Sequence, residues 1–249
     1  KRYLITFLIL ILCVIAFLLL NICIGTVQIP LSELKNAVMD GDSKLGRIVL
    51  DIRAPRSFAA MILGGALALA GYLLQTFFHN PIAGPFVLGI SSGAKMVVAL
   101  VMVFLMGQSI SVSSGMMILA AFVGAMISMG FVLLMSRRVS RMSMLVVSGV
   151  MIGYICSAIT ELVVTFAEDS DIVNLHNWSR GSFSGITWSN VGVMTVVVLV
   201  STAIIFLMSK PLEAYQLGDS YAQNLGVNIK ALRILMVILS SILSACIVA

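Results

Sequence analysis

Seven long apolar runs divide the chain, at about 4–25, 57–78, 86–106, 114–136, 143–166, 188–209 and 231–249. About 20 consecutive apolar residues cross the hydrocarbon core of a bilayer as a helix. Within lipid each run must satisfy its own backbone donors and acceptors, which makes helix the expected form. A soluble fold cannot absorb seven such runs, because its surface needs charge. Only 10% of the 249 residues are charged and 60% are hydrophobic, whereas globular chains carry about 25% and 45–50%. The expected fold class is all-α: a polytopic helical membrane protein, a bundle of about seven transmembrane helices in one domain, 1–249. The first run is too long for a signal-peptide core and lacks a small-residue cleavage site, so it counts as a span. The chain begins at Lys1 and stops at Ala249 inside an apolar run. It is therefore expected to be cut at both ends and C-terminally incomplete.

The sparse charges exclude several function classes. A net charge of +5 would suggest nucleic acid only if basic residues clustered on one solvated face. Here they punctuate apolar runs, so no nucleic-acid partner is expected and membrane lipid is. Cys13, Cys23, Cys156 and Cys246 lie in or beside apolar runs without a CxxC or Cys/His cluster, which indicates neither disulfide nor zinc. No metal site and no cofactor are expected. No Gly is followed by Lys, so the chain has no P-loop of its own. His, Asp, Glu, Ser and Cys form no nucleophilic constellation, so no catalytic residue is expected. An even number of spans separates the 137–142 loop from the N-terminus. Lys1, Arg2, Arg137, Arg138, Arg141, Lys210, Lys230 and Arg233 then share one side, and the positive-inside bias of its short loops places the N-terminus in the cytoplasm. The 26–56 segment is expected to be a long mixed loop on the other side.

Small residues recur every fourth position: Ala60, Gly64 and Ala68, then Ala120, Gly124 and Ser128, then Gly149, Gly153 and Ser157. Such faces let helix backbones approach closely in a membrane. The densest punctuation falls between Arg53 and Ala94. Asn80-Pro81 ends the second helix, since proline lacks a donor and its predecessor is pushed out of helical space. Pro85, Gly89 and Gly93 are expected to keep a further stretch irregular at membrane depth. Non-helical backbone there is tolerated where it is buried in protein or lines a water-filled path. A path-lining segment and a tight interhelical turn are both open on this evidence.

Arg53-x-Pro55-Arg56, Gly64-Gly65-Ala66-Leu67, Gly71-x-x-x-Gln75, Asn80-Pro81-x-Ala83-x-Pro85, Leu88-Gly89 and Ser92-Gly93-Ala94 occur in order. They are followed by Leu145-x-x-Ser148-Gly149, Trp178-x-x-Gly181-Ser182 and Leu217-Gly218-Asp219-x-x-Ala222-x-x-Leu225-Gly226-Val227. This series resembles the FecCD-type permeases of iron–siderophore, haem and cobalamin ATP-binding-cassette importers, from about residue 45 to the C-terminal end. The resemblance implies a ten-helix permease in the bacterial cytoplasmic membrane, of which this chain holds about seven spans. It implies four kinds of association: a second permease subunit, identical or related; two cytoplasmic ATPase subunits, which use the ATP; an extracytoplasmic substrate-binding protein; and membrane lipid. The cargo implied is an iron–siderophore or related metal chelate. The alternative class, an ion-coupled secondary transporter, needs ionisable residues near the bilayer midplane; Glu161, near a span end, is the sole acid placed inside a span.

Carried over by position, the resemblance implies binding-protein docking at Arg53 and Arg56. Guanidinium forks at a membrane rim suit carboxylates, and interfacial anchoring is the other reading of the pair. It also implies a cytoplasmic gate at Asn80, Ile82, Met142 and Ser143, and ATPase coupling at Gly218, Asp219, Ala222, Leu225 and Gly226. In the last segment Pro211 is expected to stop the preceding span, with Asp219 as N-cap of a short helix and Gly226 as its left-handed end. Ala222 and Leu225 would share one face. Lys95 departs from the family pattern and is expected to snorkel to the cytoplasmic interface.

Overall fold

The computed structural model of the chain describes residues 2–41, 43–86, 88–106, 114–136 and 142–248. Among these residues helices and turns occur and no strand does. The helices are α1 (Arg2–Cys23), α2 (Leu31–Met39), α3 (Lys44–Phe78), α4 (Ile90–Val101, continued by a wide turn at Met102–Met106), α5 (Ser114–Ser136), α6 (Met142–Val164), α7 (Asp169–Ser179), α8 (Trp188–Leu207), α9 (Ser209–Gln216), α10 (Asp219–Asn224) and α11 (Ile229–Val248). Six are long and apolar enough to cross a membrane: α1, α3, α5, α6, α8 and α11. The third apolar run yields a shorter helix that starts at Ile90, four residues later than its hydropathy suggests.

Backbone proximity sorts the chain into two compact units. The first comprises Lys1–Ile62 and Ser182–Thr195. Its 26–56 segment, expected as a loop, is largely helical. Ile29, Ala37 and Val49 are buried together, with Leu34, Leu45, Ile48 and Leu50 packed around them. This small core stabilises an α2 too short to stand alone. Ser43 caps the start of α3 by accepting from the Gly46 amide at 3.0 Å. Residues Ile48–Arg53 then take a π-helical turn, with Ala54 N–H donating to Val49 O. Pro55 explains it: a proline ring crowds the carbonyl four residues back and supplies no donor, and the wider register relieves both.

The second unit comprises Leu63–Gly181 and Val196–Ala249. There α4 packs against α5 and α6, and α11 against α5. A Cβ on Gly93 would lie 2.6 Å from Gly124 O, and one on Gly124 only 2.2 Å from Gly93 O, so two of the small-residue faces carry real backbone contacts. Gly89, at φ +72°, sits 2.7 Å (from its would-be Cβ) from the Gly153 Cα halfway along α6. Only glycine supplies both that dihedral and that approach. The face of Ala60, Gly64 and Ala68 behaves differently: all three are exposed, and nothing lies within 4 Å of a Cβ on Gly64.

Candidate functional site

The irregular stretch starts where α3 ends. His79 takes φ +49°, an unusual value for a residue with a side chain. Asn80 N–H reaches back to Gln75 O at 3.1 Å, and the Asn80 side-chain oxygen accepts from the Ile82 amide at 2.9 Å. The expected gate pair is therefore joined: Asn80 fixes a tight turn through its own side chain, and Ile82 stands at its tip, 77% exposed. Beside this turn lies a recess of about 330 Å³ lined by Tyr72, Gln75, Thr76, Asn80, Pro81 and Gln216, among others. Among the described residues the backbone stays irregular up to Gly89; Gly93, expected within that stretch, is already helical because α4 begins at Ile90. Met142 and Ser143 open α6, and their side chains lie outside the described residues, as does the 137–141 loop.

The segment after α8 differs from expectation at its start. The chain breaks at Met208, and Pro211 falls in the first turn of α9, where its missing N–H costs nothing. The helix α9 was not anticipated, and it delivers Tyr215, fully buried. Gly218, rather than Asp219, occupies the N-cap of α10, and the Asp219 side chain caps nothing there. Instead Asp219 Oδ2 accepts from Arg233 Nη2 at 2.7 Å. At the other end the amide of Gly226 bonds Gln223 O (2.9 Å) and that of Val227 bonds Ala222 O (3.0 Å), with Gly226 at φ +81°. This is the left-handed closure expected of Gly226. Ala222 is fully buried within the chain, whereas Leu225 is 61% exposed and Tyr221 50%. The two residues expected to share an outer face therefore do not: Ala222 seats α10, and Tyr221 with Leu225 forms its outward side.

Tyr215 gathers the second unit's inner contacts. Its hydroxyl accepts from Arg233 Nε at 3.0 Å and donates to Phe77 O at 3.4 Å. Its carbonyl faces His79 Nε2 at 3.4 Å. Burial raises the Tyr215 pKa above its ordinary value, opposed by Arg233, and the hydroxyl stays protonated at neutral pH. The neighbouring Gln216 donates to Tyr72 and Thr76, each at 3.2 Å.

In the first unit the two candidate arginines part company. Arg53 is only 8% exposed; Nη1 donates to Ile22 O at 2.5 Å and Nη2 to Val27 O. Gly25 passes so close that a Cβ there would lie 2.6 Å from Nη2. The Arg53 guanidinium faces inward and closes the turn after α1, which corrects the expectation of an outward fork. Arg56 is half-buried, donates Nη2 to Ser184 O at 2.7 Å, and leaves Nε without a partner. Both line a recess of about 580 Å³ with Asn21, Gly25 and Phe183. Trp188 Nε1 donates to Leu50 O at 2.8 Å and its ring packs on Phe58.

Lys95 also departs from expectation. Gly89 is level with Gly153 at mid-α6, and Ser157 donates to Ser92 at 3.5 Å. One further turn puts Lys95 level with Thr160 and Glu161, toward the end of α6 opposite Met142. There it lines a cavity of about 540 Å³ with Ser92, Glu161, Trp178 and Arg180. It does not reach the Met142 end, because the irregular stretch lets α4 begin halfway along the bundle. Among the described residues no group of His, Cys, Asp and Glu is placed to hold a metal ion.

Comparison with known proteins matches residues 11–249 to the FecCD transport family. The vitamin B12 import system permease protein BtuC of Klebsiella pneumoniae is 34% identical over 221 residues, 89% of this chain and 64% of that protein. The hemin transport system permease protein HmuU of Yersinia pestis is 33% identical over 205 residues, 81% of this chain and 61% of that protein. The chain thus spans about three fifths of the length of these relatives. A solved metal-chelate type ABC transporter in an inward-facing conformation superposes with a TM-score of 0.82, covering 96% of this chain and 73% of that one. At 24% identity it shows the shared fold.

Proposed function

Because the chain belongs to the FecCD transport family, we propose that it is the membrane-spanning subunit of an ATP-driven importer that carries a metal chelate inward by alternating access. The observation that carries this reading is the family match along nearly the whole chain, residues 11–249. The cargo proposed is an iron–siderophore, a large chelate of the same kind as the B12 and hemin named for the two relatives. The assembly proposed is a second permease subunit, two cytoplasmic ATPase subunits and an extracytoplasmic binding protein, in a bacterial cytoplasmic membrane with the N-terminus inside. The permease itself performs no covalent step.

Roles for individual residues are part of the same proposal. Arg56, half-buried with an unpartnered Nε, is the proposed contact for a binding-protein carboxylate, and Arg53 holds the turn behind it. Tyr221 and Leu225 present the outward side of α10 to the ATPase, framed by Gly218 and Gly226. The Asn80–Ile82 turn, with Met142 and Ser143, is the proposed cytoplasmic gate. ATP-driven closure of the ATPase pair and docking at the outer rim each shift one equilibrium between two bundle states, provided each contact differs between them. Reconstitution of the full-length permease with its ATPase in vesicles tests this. ATP-dependent uptake of ferric chelate presented by the binding protein is expected. Uptake driven by a proton or sodium gradient without ATP would overturn it.

A further inference from the structure

We infer that Arg233 and Tyr215 form a relay that ties the coupling helix α10 to the gate turn. The inference rests on the importer reading above and adds how the two ends communicate. Four polar contacts make the chain of cause. Arg233 Nη2 grips the Asp219 carboxylate in the first turn of α10 at 2.7 Å. Arg233 Nε grips the Tyr215 hydroxyl at 3.0 Å, with its guanidinium 5.6 Å from the Tyr215 ring centroid. The hydroxyl in turn reaches Phe77 O, and the Tyr215 carbonyl meets His79 Nε2, both at 3.4 Å. Phe77 lies two residues before His79, and His79 directly precedes Asn80.

Five properties suit these groups to transmission rather than to packing alone. Tyr215 is wholly enclosed, so its hydroxyl has no water to substitute for a lost partner. Arg233 bonds two groups through different nitrogens of one planar fork, so a shift of Asp219 turns the group that holds Tyr215. The long 3.4 Å contacts at the gate end are the weakest links, where a displacement is released first. One of them acts on His79, whose φ of +49° is a strained value for a residue with a side chain. A strained hinge held by weak contacts has a second conformation within reach. The Asp219 carboxylate also keeps one oxygen, Oδ1, buried without a partner among the described residues, so this end of the relay is incomplete within the chain.

Arg233 and Tyr215 are positioning residues, and the test reads a site they do not belong to. In the purified full-length permease, amide exchange of the segment 76–83 is followed by mass spectrometry in wild type, Tyr215→Phe, Arg233→Gln and Asp219→Asn. Tyr215→Phe keeps the ring and removes only the hydroxyl. Each variant is expected to speed exchange in 76–83 by about fivefold, the factor one net hydrogen bond supplies. Asp219→Asn is decisive, because Asp219 touches Arg233 and not the 76–83 segment. The double variant Tyr215→Phe/Arg233→Gln should be no faster than either single one, as expected of groups acting as a unit. Unchanged exchange at 76–83 in Asp219→Asn, additive effects, or equal acceleration along the whole chain would each overturn the relay. In vesicles with the ATPase, Tyr215→Phe and Arg233→Gln should retain ATP hydrolysis and lose uptake per ATP by about fivefold; retention of wild-type uptake per ATP would likewise overturn it. Absence of ATP-dependent uptake by the wild type would overturn the importer reading, while the exchange result still decides the relay.

Discussion

Gly93 and Gly64 are both helical glycines in small-residue contexts, and the same substitution should act on them in opposite directions. A Cβ on Gly93 would lie 1.9 Å from Ser128 Oγ and 2.6 Å from Gly124 O. Ser128 is fully buried, with Cys156 Sγ 3.8 Å from its Oγ, so little room exists for it to turn away. The backbone oxygen cannot turn at all. Relief to an ordinary 3.4 Å contact requires α4 and α5 to part by about 0.8 Å, and a gap of 0.5–1 Å forfeits a quarter to a half of each dispersion well along the seam. Overpacking of this kind costs about 1–3 kcal/mol. The helix propensity gained from Gly to Ala returns about 1 kcal/mol, leaving Gly93→Ala destabilised by up to about 2 kcal/mol. Gly64→Ala meets nothing within 4 Å and should keep the full propensity gain. The two variants should therefore differ by about 1–3 kcal/mol, on the order of 2–12 °C in Tm for a chain this size. Thermal unfolding in detergent of both variants, with Gly93→Ala/Ser128→Ala as a partial rescue, measures it. Equal Tm values, or a more stable Gly93→Ala, would refute the close-approach argument.

Arg53→Gln should cost about 2–4 kcal/mol, because it strips two partly buried bonds to Ile22 O and Val27 O of their charged donor, and should expose the 24–30 turn to limited proteolysis; Arg56→Gln should leave that turn protected. A cysteine in place of Lys95 should react with a membrane-impermeant maleimide from the side opposite to one placed at Asp219. Labelling of both from one side would contradict the depth at which α4 begins. Alkaline titration should show the sign of the Tyr215 shift. Its folded pKa is raised above 10.0, so its contribution is complete below pH 10.0 and is lost as pH rises through the folded value, because the unfolded phenol ionises first. Tm measured from pH 7 upward should fall less steeply in Tyr215→Phe.

The features legible in the residue order are those whose causes lie within a few residues of one another. Hydropathy summed over a window locates the apolar helices, since each satisfies its backbone internally wherever its neighbours lie. The Asn80 turn closes through a bond to Ile82, two residues on, and the end of α10 closes between Ala222 and Val227. Both could be anticipated from Asn-Pro and from Gly226. What escaped the sequence depends on partners far along the chain. Arg53 looks like an outward cation until Ile22 and Val27 arrive to take its donors. Lys95 looks interfacial until Gly89 is seen to meet Gly153. Tyr215 sits in a polar stretch that hydropathy leaves as a loop, and only the approach of Phe77 from 138 residues away and of Arg233 from α11 encloses it. A side chain's burial and hydrogen-bond partners are properties of the neighbours folding brings to it, whereas a span's apolarity belongs to the segment alone.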